Sequence, residues 1–97
     1  MLKNIIVDVR LKNRFLQKLS TVPFSIQKQT YKRLQLFKQD PFDSQLRNHA
    51  LREPYLGSRN IDITDDYRAI FKEYRGEAHF YRLGTHPELY GENNLGS

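Results

Sequence analysis

The sequence predicts a single α+β domain, in the order β-α-α-β-β-β, with an N-terminal helical hairpin packed on a twisted antiparallel sheet. Three observations predict it. An apolar period near 3.6 residues runs through much of residues 10–39. Alternating β-branched and aromatic stretches fill much of residues 58–83. Punctuation falls between these stretches, at Asp40-Pro41, at Thr64-Asp65-Asp66 and at Arg75-Gly76. A length of 97 residues suits one domain, assigned to residues 1–91, and "ENNLGS" (92–97) is expected to be a flexible tail.

The elements follow in order. "NIIVDV" (4–9) is β-branched and nearly continuously apolar, so it reads as a short strand. "RLKNRFLQKLS" (10–20) changes period: Leu11, Phe15, Leu16 and Leu19 make one helical stripe, with Lys12, Arg14 and Lys18 turned away. A second helix is expected from Pro23, which a first turn tolerates, with Thr21 as its cap. Ile26, Thr30, Leu34 and Phe37 form its buried stripe, and Pro41 disfavours helix at Asp40. Residues 41–56 carry no sustained period and read as a long ordered loop anchored by Leu46 and Leu51. Strands follow at 58–63, 67–74 and 78–83, forming an antiparallel meander. A three-residue turn, "YRG" (74–76), is expected between the last two, because a two-residue turn needs positive φ at Arg75. That register sets Arg68 across from Arg82.

Composition narrows the classes of function. No apolar run approaches the roughly 20 residues that span a bilayer, and "IIVDV" is too short for a secretory signal. The absence of cysteine excludes disulfides and thiolate metal sites and is compatible with a cytoplasmic setting. The net charge of +5 is unevenly spread: residues 1–39 carry nine Lys/Arg against Asp8 alone, whereas residues 40–97 carry seven against ten acids. Such a basic half suits phosphates or an acidic partner, and equally a solvated helix surface.

No phosphate-cradling glycine loop, nucleophile elbow or metalloprotease helix is present, and His49, His79 and His86 lack metal-cluster spacing. Taken singly, the polar residues have structural readings. His49 sits in a loop, Asp65 and Asp66 in a turn, His79 mid-strand, and His86 between Gly84 and Pro87 where a helix could be capped. Taken together they allow chemistry. If the turn at 63–67 lies beside 84–90, then Asp66, His86 and Tyr90 converge, with His49 arriving from the loop and Arg68 and Arg82 adding charge. RNA cleavage needs a base for a 2′-hydroxyl, an acid for the departing 5′-oxygen, and a cation at the phosphorane. Histidine suits both proton transfers, its unperturbed pKa being about 6.5.

From "RFLQKL" through "LFKQDPFDSQLRNHAL" to "GTHPELYG", the chain resembles the RelE/ParE superfamily of type II toxin–antitoxin toxins, and within it the YafQ-like mRNA interferases. That branch shows an Asp-His-Pro-Leu-like segment, an Arg strand ending in His-x-x-x-Asp-Trp, then Gly-Thr-His with an aromatic four residues on. "NHAL" places His49 on the first catalytic histidine. "RNIDITDDY" places Asp66 on the catalytic aspartate and Tyr67 on the Trp, and "GTHPELY" supplies His86 and Tyr90. Asp62 departs from the pattern, standing where the branch has its middle histidine; an aspartate there can accept a proton or orient His49. The resemblance implies a ribosome-dependent endoribonuclease that works without metal or cofactor. His49 and His86 would be base and acid, aided by Asp62, Asp66 and Tyr90. Arg59, Tyr67, Arg68 and Arg82 would bind RNA. Partners implied are a cognate antitoxin, mRNA, and ribosomal RNA contacted by the basic helices. The competing expectations are a gyrase-inhibiting, ParE-like toxin and a chain that only binds its antitoxin.

Overall fold

The computed structural model describes residues 8–91; the expected beginning of the first strand at 4–7 and the tail at 92–97 lie outside the described residues. The elements are β1 (Asp8–Leu11), α1 (Asn13–Leu19), α2 (Phe24–Gln39), a 3-10 turn (Ser44–Leu46), β2 (His49–Ala50), β3 (Arg59–Asp62), β4 (Tyr67–Tyr74), β5 (Glu77–Thr85) and α3 (His86–Tyr90). The five strands form one sheet in the order β1-β5-β4-β3-β2. The expected meander is antiparallel, but β1 joins β5 in parallel, which makes the sheet mixed. No helix among the described residues is long and apolar enough to cross a membrane.

Alternation along the strands sorts the side chains. Ile61, Ala69, Phe71, Ala78 and Phe80 point to the helical hairpin and are buried with Phe15, Leu34 and Phe37. Phe37, Phe71 and Phe80 meet with ring centroids 4.9–5.3 Å apart, the spacing at which aromatic pairs add about 0.5–1.5 kcal/mol beyond their burial. The stripe expected on α2 is the one buried, and Thr30 satisfies its hydroxyl by donating to Ile26 O at 2.7 Å.

Four local expectations are corrected. Leu11 is not on a helix: it pairs with Phe80 in the β1–β5 ladder, and Lys12 N–H donates to Phe80 O, so α1 begins only after the ladder ends. Thr21 does not cap α2, whose N-cap is Pro23; its hydroxyl donates to Lys18 O and closes α1 instead. The segment 41–56 is more than a loop. Asp43 caps the 3-10 turn through Gln45 N–H, Leu46 is fully buried, and His49–Ala50 form an edge strand.

The fourth concerns the hairpin. Tyr74 pairs with Glu77 across a two-residue turn, with Arg75 at φ 52° and Gly76 at φ 82°. Both central residues are left-handed, the combination whose twist matches that of paired strands. This outweighs the roughly 1–2 kcal/mol of strain at Arg75. It also sets Glu73 opposite Ala78, avoiding the Glu73–Glu77 pair of the longer turn. The Arg75 guanidinium lies over the Tyr74 ring, 5.4 Å from its centroid. Arg68 therefore faces Gly84, and Arg82 faces Ile70, so the expected Arg68–Arg82 pair does not form.

A bulge completes the framework. Phe71 pairs with Phe80 but Ile70 with Arg82, leaving Tyr81 as an extra residue. The shift allows Phe80 and Leu83, three residues apart, both to enter the main core. Beyond it, α3 packs on the opposite face of the sheet, where Tyr55, Ile70 and Leu89 form a second, smaller cluster.

Candidate active site

The face turned from the helical hairpin carries the polar positions of the same strands. Asn60 and Asp62 alternate with Ile61 on β3, and Arg68 and Ile70 with Ala69 on β4. His49 pairs with Asn60, and Asp62 stands directly across from Arg68. Gly84 then brings α3 close. A Cβ at Gly84 would sit 2.9 Å from Glu88 Oε1 and 3.3 Å from Glu88 Cβ, so glycine lets the helix lie this near without displacing the Glu88 side chain. Thr85 and Glu88 form a capping box: Thr85 N–H donates to Glu88 Oε1 at 2.9 Å, and Glu88 N–H to Thr85 Oγ1. This fixes the first turn of α3 and places His86 and Tyr90 four residues apart on one side.

The result is a cleft of about 480 Å³ whose lining includes Arg47, His49, Asp62, Arg68, His86 and Tyr90. His49 Nδ1 lies 2.6 Å from Arg47 O. A carbonyl only accepts, so Nδ1 carries the hydrogen, and Nε2 of the neutral ring keeps its lone pair. The His86 ring lies over Tyr90 at 4.6 Å between centroids, tilted by 31°. Tyr90 in turn meets Tyr55 edge-on at 5.2 Å. Burial, reinforced by Tyr55, pushes the Tyr90 hydroxyl above its ordinary pKa, while Arg68 pulls the other way; the phenol stays protonated at neutral pH.

Asp62 does not touch His49 in this arrangement. Its Oδ1 accepts from Arg68 Nη1 at 2.6 Å and from Asn60 Nδ2 at 3.1 Å, and its Oδ2 lies 3.2 Å from Arg47 Nε. The carboxylate binds the arginines because they are the cations within reach, one across the ladder and one on the 3-10 turn's exit.

Four residues expected at the site lie elsewhere. Asp66 is exposed in the turn between β3 and β4, its N–H held by Thr64 Oγ1. Tyr67, also anchored through its N–H by Thr64, packs against the main core. Arg59 donates to Asn48 Oδ1 at 2.8 Å and lies over the Phe42 ring. Arg82 donates to Tyr55 OH at 2.9 Å and borders a separate hollow with Arg14, Lys18 and Glu88. It supports the site at one remove, because Tyr55 OH also donates to Leu89 O at 2.6 Å and so ties α3 down.

Sequence reasoning passed over Arg47, Arg52, Glu53 and Asn60, which also line the cleft. Arg47 had one legible signal, its position two residues before His49. Tyr55 had none, since its partner Leu89 is 34 residues away. Two imidazoles, three guanidiniums and a protonated phenol on one concave surface hold the parts that general acid–base chemistry at a phosphodiester requires.

No family model matches the chain, and neither does any curated protein sequence. Solved structures do. YafQ from E. coli strain BL21(DE3) is 21% identical with a TM-score of 0.62, covering 88% of this chain and 99% of its own. A copper-bound mutant toxin from Helicobacter pylori is 27% identical with a TM-score of 0.63, covering 88% and 100%. The RelBE2 toxin–antitoxin complex from Mycobacterium tuberculosis is 15% identical with a TM-score of 0.71, covering 86% and 94%. The chain thus shares its fold with solved toxin structures, YafQ among them.

Proposed function

We propose that the chain is the toxin of a type II toxin–antitoxin pair, and that it cleaves messenger RNA on the ribosome. Its structural neighbours are such toxins, several solved in complex with an antitoxin. The observation that carries the nuclease reading is the shared cleft of His49 and His86, residues 37 positions apart in sequence. His49, with Nδ1 held by Arg47 O and Nε2 open, takes the proton of a 2′-hydroxyl. The 2′-oxygen bonds to phosphorus, the bond from phosphorus to the 5′-oxygen breaks, and His86 in its imidazolium form returns a proton to that oxygen. The products are a 2′,3′-cyclic phosphate and a 5′-hydroxyl. Arg68 counters the charge on the phosphorane, and Tyr90 stacks beside the reacting nucleotide. Tyr67, Arg59 and the basic helices contact RNA in this reading, while Asp66, exposed in the turn outside the cleft, takes no part in the proton transfers.

Purified protein added to a translating system, with mRNA ends mapped by primer extension, tests the proposal. Cuts at the ribosomal A site that vanish with His86→Ala support it. An absence of cuts together with inhibited DNA gyrase supports the ParE-like reading. The loss of both activities, with an antitoxin still bound, leaves a binding protein.

A further inference from the structure

Resting on that reading, we infer that Asp62 is a built-in stand-in for the substrate phosphate, and that Arg47 is the arm that changes partner when RNA arrives. The two sides of the Asp62 carboxylate are held unequally. Oδ1 has two ligands, Arg68 Nη1 at 2.6 Å and Asn60 Nδ2 at 3.1 Å, and Asn60 is buried. Oδ2 has one, Arg47 Nε at 3.2 Å. The side chains of Asp62 and Arg68 are 15% and 28% exposed, whereas that of Arg47 is 76% exposed. An exposed ion pair with a single contact is readily exchanged, while a largely buried one reinforced by a further bond from Asn60 is not.

Arg68 and Asp62 therefore form a fixed pair on the sheet, and Arg47 swings. Its backbone is set by the left-handed conformation that ends the 3-10 turn, φ 51°, and its own carbonyl holds His49. A guanidinium that leaves Asp62 stays beside the imidazole proposed as the base, where a phosphodiester bound to that imidazole's substrate would sit. In the free protein the carboxylate mutes the positive charge of the cleft. When RNA enters, a phosphate oxygen takes its place at Arg47, a second cationic ligand besides Arg68.

Binding of inorganic phosphate, followed by nuclear magnetic resonance on the intact chain, tests this without requiring cleavage. Asp62→Asn keeps an acceptor for Arg68 and removes the competing charge; phosphate should bind about tenfold tighter. Arg47→Ala should bind about tenfold more weakly, and Asp62→Asn should gain little in that background, since it acts through Arg47. For a single-stranded RNA blocked at its 2′-hydroxyls, Arg47→Ala should lower the salt-dependence slope by about one. Asp62→Ser, checked with Asp62→Asn by thermal unfolding, guards against a variant that fails to fold. Equal or weaker phosphate binding by the folded Asp62 variants, or none by any form, overturns the inference. Tighter binding by those variants in a protein that cuts no mRNA upholds it and overturns the nuclease reading instead.

Discussion

The two faces of the central sheet use the same strands for opposite purposes. On β4, Ala69 and Phe71 turn to a dry core of interlocked phenylalanines, while Arg68, their neighbour, reaches an aspartate in an open cleft. On β3, Ile61 is fully buried between Asn60 and Asp62, both of which face the site. A slip of one residue would exchange the faces, so the burial that stabilises the fold also fixes which charges meet. The helix-side face is thus over-determined by packing, and the cleft face is held by a few directional bonds around α3.

Substitutions on either side sharpen this contrast. The largest expected effect is chemical: His86→Ala should lower mRNA cleavage by about 10²–10⁴-fold while barely moving the unfolding midpoint, because the ring is only half-buried. Phe80→Ala should do the reverse, removing about 3–5 kcal/mol in urea unfolding, since it leaves a void among Phe15, Phe37 and Phe71. Gly84→Ala sits between the two. Its added Cβ presses on Glu88, so stability should fall by about 1–2 kcal/mol and cleavage should fall with it, as α3 is pushed from the sheet.

The smallest effect is a matter of pH. The Thr85 N–H, and then the Lys18 ammonium, hold the Glu88 carboxyl below its ordinary pKa. Its contribution is therefore present above the ordinary carboxylate pKa, near 4.3, and is lost as pH falls through the depressed value. The side chain is 45% exposed, so solvent screens the ion pair, and the expected size is that of a helix cap, about 0.5–1 kcal/mol. Glu88→Gln should flatten this part of the acid unfolding curve, and an unchanged curve would mean that α3 is held by Tyr55 and Leu89 alone.

Those two faces also differ in how far the sequence disclosed them. The buried stripe of α2 and the strands of the meander were legible, because period and burial coincide there. Leu11 misled, since an apolar residue next to a helical stripe fits either period until its strand partner, Phe80, is known. The hairpin misled because the strain at Arg75 is visible in a sequence and the twist that outweighs it is not. That error placed Arg82 beside Arg68, and the bulge at Tyr81 moved it further, onto Tyr55. His86 was singled out by its place at the end of a strand, whereas His49 rested mainly on likeness to a motif, since nothing in the local pattern of 41–56 marks a histidine as different from any loop residue. Asp66 was expected there because its turn lies beside the 84–90 segment, yet its side chain is exposed in the turn, outside the cleft lining. Arg47 escaped notice because its importance comes from a carbonyl and a carboxylate that only folding brings to it.

The central claim is that His49 and His86 act as one unit on one phosphodiester. The rate of mRNA cleavage on stalled ribosomes, measured for His49→Ala, His86→Ala and the double variant, tests it most directly. The account predicts that each single substitution loses at least about 100-fold and that the double variant is scarcely slower than the slower single. Cleavage near the native rate by either single variant, or losses that simply multiply in the double, would contradict it.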